Sequence, residues 1–105
     1  MLERENIYFR DVTGVGGKTA QMMAEKIARI ALYRQVICIT HLPQIAGKAD
    51  SHLLAFKMDG AATTISSMRI LSNEDRVNEI ARMLSDETIT ESAKITAREL
   101  LNFRN

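Results

Sequence analysis

The sequence predicts an α/β fold with a parallel core, a β-hairpin and two closing helices. Three observations carry that prediction. A β-prone run, a helix-periodic stretch and a second β-branched run follow one another within the first 40 residues. An Asp-Gly pair then separates two strand-like segments, a strong local signal for a hairpin. Finally, two amphipathic patterns, each preceded by a hydroxyl residue suited to capping, fill the remainder of the chain.

The first strand is read at Ile7-Tyr8-Phe9, ending at the glycine-rich Thr13-Gly14-Val15-Gly16-Gly17. Ala20, Met23, Ala24, Ile27, Ala28 and Ala31 then recur at helical spacing, with Lys18, Gln21, Glu25 and Arg29 on the other faces. This predicts a helix over 17–33. Residues 35–40, apolar and β-branched, have the pattern of a strand buried on both faces. Strand, helix, strand makes a βαβ unit, so the two strands are expected to be parallel. Pro43 suits the first turn of a short helix reaching Ala49. Residues 51–58 and 62–71 flank Asp59-Gly60 as the hairpin arms. Ser72 with Asp75 forms a capping pattern ahead of the stripe Val77, Ile80, Ala81 and Leu84, and Thr88 with Glu91 offers a second helix start. The last helix, reaching Asn102, carries Ala93, Ala97, Leu100 and Leu101 on one side. Glu74, Asp75, Arg76, Glu79 and Arg82 read as a solvated helix face.

Composition narrows the classes of function. The 105 residues are 46% hydrophobic and 26% charged, as in an ordinary globular domain. A net charge of +1, from 14 basic and 13 acidic residues, leaves no electrostatic footprint for nucleic acid or an acidic membrane. Cys38 is the single cysteine and lies in an apolar run. An internal disulfide is therefore impossible, and Cys38 is expected to be a small buried hydrophobe in a reducing compartment. No run approaches the ~20 apolar residues of a membrane span, and the charged N-terminus lacks a signal-peptide core. These features predict a cytoplasmic protein.

Two stretches could carry chemistry. Gly14-Val15-Gly16-Gly17-Lys18-Thr19 has the end of a phosphate-binding loop, between a strand and a helix where backbone N–H groups can point at phosphate. The full pattern wants a glycine where Val12 stands, so a plain glycine turn remains open. Thr40-His41-Leu42-Pro43-Gln44 follows the second strand, and open α/β sheets gather ligands at the carboxyl ends of strands. Asp11 is the carboxylate that ends the first strand at that same edge. No Cys/His cluster has metal-ligand spacing, so no metal residues are assigned. His52 opens the third strand and reads as a polar residue without a special role.

Taken together these pieces resemble the RecN family of bacterial double-strand-break repair ATPases, related to SMC proteins and ABC ATPases. The likeness rests on Thr13-Gly14-Val15-x-Gly17-Lys18-x-Ala20, on Ala24-Glu25-Lys26-Ile27-Ala28, and above all on the stretch from Gln35 to Ala46 that contains His41-Leu42-Pro43-Gln44. It continues through Ala49-Asp50-Ser51-His52, the run from Arg76 to Leu84, Ile89-Thr90-Glu91 and Ala97-Arg98-Glu99-Leu100-Leu101. The resemblance implies that residues 1–105 are a single C-terminal lobe of an ABC/SMC-type ATPase head, without Walker A motif, signature motif or coiled coil. It further implies that Thr13, Gly14 and Gly17 belong to a D-loop crossing the interface between two heads. His41 would be a switch histidine on the γ-phosphate, Gln44 would stand close to the nucleotide, and Asp11 and His41 would be the catalytic pair.

One departure from the family pattern concerns the Walker B strand, which is one residue short. With the gap after Val12, Arg10 takes the magnesium-holding aspartate position and Asp11 the catalytic glutamate position. Without it, Phe9 and Arg10 replace both acids. A cation where Mg2+ should bind is electrostatically wrong, so the site reads as degenerate. The family reading places ATP and Mg2+ in a complete head and expects neither in the isolated chain. Its partners would be the upstream half of the head, a second head, DNA through the larger protein, and other copies of the segment. Two other readings stand beside it. One is a free-standing small NTPase using Gly17, Lys18 and Thr19; the other is a non-catalytic binding or dimerisation module.

Overall fold

A computed structural model describes residues 6–10, 16–60, 62–85 and 88–102, at 6, 7, 9, 10 and 64 by their backbone. The elements run β1 (Asn6–Arg10), α1 (Gly17–Ile30), β2 (Gln35–Ile39), α2 (Pro43–Lys48), β3 (Leu53–Asp59), β4 (Thr64–Ile70), α3 (Asn73–Leu84) and α4 (Glu91–Leu101). The α/β class and the eight expected elements are present.

The two N-terminal strands pair in parallel with Asn6 opposite Gln35 and Arg10 opposite Ile39, as a βαβ unit requires. Burial of β2 departs from expectation. Gln35, Ile37 and Ile39 are exposed and Val36 and Cys38 half-buried, so the strand is not covered on both faces and Cys38 is not fully interior. The reason is the size of the sheet, which has two strands among the described residues. A β-branched run reports a strand that wants cover; it does not supply the cover.

Helix α1 has Gly16 at its N-cap, with no side-chain cap. It stops at Ile30 rather than Tyr33, and the N–H groups of Leu32 and Tyr33 turn back to the carbonyls of Arg29 and Ile30, a tightened last turn. Its alanine stripe faces inward, with Ala20 and Ala24 buried, and it packs on α2. Pro43 occupies the first turn of α2, where its missing N–H costs nothing.

The hairpin pairs Leu53 with Ile70 through to Asp59 with Thr64. Asp59 pairs with Thr64 as the last rung of the hairpin, so the connection is longer than a two-residue Asp-Gly turn. The Gly60 N–H donates to the Thr63 carbonyl at 2.9 Å, and a Cβ on Gly60 would stand only 2.9 Å from that same oxygen. Glycine is needed for this close approach.

Ser72 caps α3 by accepting the Asp75 N–H at 3.2 Å, as expected. For α4 the cap is Thr90, accepting from Ala93 at 3.1 Å, not Thr88. Thr88 has Glu91 at the capping-box spacing and Thr90 has only Ala93, yet the threonine adjoining the apolar stripe is the one used. Asn102 closes α4 in the left-handed region at φ 44°, which asparagine tolerates better than most residues.

The core lies among α2, α3 and α4. Ala46, Val77, Ile80, Ala81, Ala93, Ala97 and Leu101 form one buried cluster, with Met83 and Leu100 partly covered against it. Alanines dominate it, so the helices approach closely. The molecule is otherwise open. Its radius of gyration is 15.1 Å, against about 13 Å for a compact chain of roughly 100 residues.

Candidate functional site

Parallel pairing brings the carboxyl ends of β1 and β2 to one edge, because Arg10 and Ile39 are Cα partners. The chain leaving β2 turns at once. The Thr40 hydroxyl accepts the Leu42 N–H at 2.9 Å, a local side-chain turn that sets the backbone just before Pro43 starts α2. His41 therefore sits on the strand-to-helix turn and is exposed. Gln44, half-buried in the first turn of α2, reaches the beginning of α1: its Nε2 lies 3.5 Å from where a Cβ on Gly17 would stand. Gly17 and Gln44 are thus brought together across two helix starts.

The first turn of α1 contains no acidic residue and carries exposed Lys18. Its earliest N–H groups have no intrahelical acceptor, the first such bond running from Ala20 to the Gly16 carbonyl at 2.9 Å. This edge offers donors and positive charge, the chemistry of anion binding. Asp11, Thr13 and Gly14 lie outside the described residues, so the predicted neighbourhood of Asp11 and His41 is not part of this geometry. Among the described residues, no group of three His, Cys, Asp or Glu side chains could hold a metal ion.

A second polar cluster was not anticipated as such. Arg76, read from sequence as part of a solvated face, is 7% exposed. Its Nη2 donates to the carbonyl of Ala46 at 3.2 Å and to that of Ala49 at 2.7 Å. Burial lowers its pKa and nearby Asp50 raises it. Glu79 is also largely covered and pairs with Arg82. Half-buried His52 lies beside this group. Burial first, then the Arg76 charge, push its pKa below the ordinary histidine value, while Glu79 pulls it up. Both Nδ1 of His52 and Nε of Arg76 are buried without a hydrogen-bond partner among the described residues. A signal for Arg76 did exist in the sequence. It stands four residues before Ile80, on the margin of the apolar stripe. His52 had no such signal.

No protein-family profile matches the chain. Individual proteins do. The chain is 46% identical over 99 residues to DNA repair protein RecN of Bacillus subtilis, a match covering 91% of this chain. It is 44% identical over 98 residues to RecN of Halalkalibacterium halodurans, and 43% identical over 97 residues to that of Deinococcus radiodurans. The chain belongs, as a segment, to the RecN family. It spans 17% of the length of each of these three relatives. RecN kinship across nearly the whole chain does not favour a free-standing small NTPase built on Gly17, Lys18 and Thr19. Among the described residues, no helix is long and apolar enough to cross a membrane.

Proposed function

We propose that this RecN segment is one lobe of an SMC/ABC-type ATPase head, acting in the cytoplasm in recombinational repair of DNA double-strand breaks. The observation that carries the reading is the placement of exposed His41 at the carboxyl end of a parallel strand, on the edge where Gln44 meets Gly17. In a chain of RecN kinship, His41 contacts the γ-phosphate of ATP and stabilises charge developing there during hydrolysis. Gln44 and the Thr13-Gly14 to Gly17 loop border the nucleotide and the neighbouring head. Asp11 stands in the catalytic carboxylate position.

The donor-rich edge suits a phosphate. With the gap after Val12, Arg10 takes the position where the family reading wants an aspartate, and a cation there opposes Mg2+. The remaining phosphate contacts, the upstream half of the head, the second head and the DNA surface belong to the larger protein.

The test uses a full-length RecN protein carrying this segment. His41→Ala is expected to lower ATP turnover roughly a hundredfold or more, the ~2–4 kcal/mol typical of one lost transition-state contact, with folding unchanged by circular dichroism. The isolated 105-residue chain is expected to show no turnover. Turnover by the isolated chain that Lys18→Ala abolishes would instead establish an independent phosphate loop.

A further inference from the structure

Helix α2 is held at both ends. At its C-terminal end the Arg76 guanidinium binds the carbonyls of Ala46 and Ala49, the first of which also accepts the Ala49 cap N–H at 3.3 Å. On its flank, Gly47 lies against the backbone of Leu100 on α4, where a Cβ would come within 3.0 Å of the carbonyl oxygen. Ala46 is part of the cluster with Val77, Ile80 and Ala97. At the other end, Gln44 reaches Gly17 and His41 precedes Pro43. Six residues of helix are about 9 Å long, too short to bend, so a shift at Ala49 is a shift at Gln44.

We propose that Arg76 is a positioning residue, which fixes α2 on the α3–α4 pair and thereby sets where His41 and Gln44 stand. This rests on the nucleotide-site reading above. The chemistry fits position better than stability. A buried guanidinium whose Nε lacks a partner among the described residues carries a desolvation cost that an apolar side chain of similar length avoids. What the apolar side chain lacks is the Nη2 nitrogen, whose N–H groups hold both carbonyls in the fixed plane of the guanidinium. Asp50 on the α2–β3 connection, His52 before β3 and Glu79 on α3 are the titratable groups around it.

Two measurements test this. In a full-length RecN protein carrying this segment, hydrogen exchange is followed at the amides of α2 in wild type, Arg76→Met and Arg76→Lys. Arg76→Met should speed exchange at Ile45, Ala46 and Ala49 at least tenfold, while Ile80 and Ala97 stay protected, and Arg76→Lys should recover part of the protection. Unchanged α2 protection overturns the proposal, as does an equal loss across α3 and α4, which would mark a merely structural role. In a full-length RecN protein, Arg76→Met should lower kcat for ATP at least tenfold with KM nearly constant, and Arg76→Lys should restore most of it. The exposed neighbour Arg82→Ala should have no effect. Should Arg76→Met fail to fold, Gly47→Ala displaces α2 from the α4 side and must produce the same kcat loss. If His41→Ala abolishes turnover while Arg76→Met and Gly47→Ala leave it intact, the positioning proposal fails alone. If His41→Ala is as active as wild type, the nucleotide-site reading fails and takes this proposal with it.

Discussion

Gly47 on α2 and Leu100 on α4 meet backbone to backbone: a Cβ on Gly47 would lie 3.0 Å from the Leu100 carbonyl oxygen and 3.1 Å from its carbon. Neither atom can swing away as a side chain could. Alanine gains up to ~1 kcal/mol of helix propensity over glycine, but overpacking of this kind costs about 1–3 kcal/mol. Gly47→Ala is therefore expected to lower the urea midpoint. A midpoint at or above that of wild type would show that α2 is loosely seated.

The helix caps give a paired comparison. Ser72→Ala and Thr90→Ala each remove a bond to a backbone N–H and should cost about 1 kcal/mol. Thr88→Ala should cost close to nothing. Equal effects at Thr88 and Thr90 in denaturant titrations would move the start of α4 upstream.

Stability should depend on pH through His52. Its folded pKa lies below the ordinary 6.5, from burial and then Arg76, against the opposing pull of Glu79. Below pH 6.5 the unfolded chain takes up a proton that the folded chain refuses. Stability therefore falls as pH drops from 6.5 toward the lowered folded value, and this contribution levels off beneath it. His52→Gln should flatten that part of the curve. Identical pH profiles for the two proteins by thermal melting would remove His52 from the account.

Self-association is expected of the hairpin. On one face, Leu53 pairs with Ile70 and Ala55 with Met68, and Leu53, Met68 and Ile70 are 52%, 61% and 72% exposed. Apolar surface of this kind usually finds a partner. Met68→Ser with Ile70→Thr should shift sedimentation at high concentration toward monomer. A wild-type chain that stays monomeric at high concentration would count against the idea.

Much of the fold was legible because periodicity and capping are local. Ser72 capped where the residue types required, Pro43 began its helix, and the βαβ pattern brought parallel pairing with it. Cover is not local. The β-branched run from Val36 to Ile39 has the composition of an interior strand and stands half-uncovered. Arg76 likewise looks like a surface cation until α2 folds its carbonyls onto it. For the candidate site, the residues around His41 and Gln44 were legible from a distinctive run. The contact of Gln44 with the start of α1, and the fixing of α2 from behind, depend on packing between elements distant in sequence.

The alanine-rich core has a consequence for how this segment can change over time. Ala20, Ala24, Ala46, Ala81, Ala93 and Ala97 are all buried. A site filled by a large residue is eroded by deletions of volume; these six alanine sites have little volume to lose, and Ala→Gly at such a site costs only roughly 0.5–1 kcal/mol. Every enlargement must push two helices apart, at about 1–3 kcal/mol each. The permitted substitutions are thus bounded by a ceiling on size rather than a floor. Drift in this part of the chain should run sideways among glycine, alanine and serine, and compensation for any larger residue must come from the facing helix.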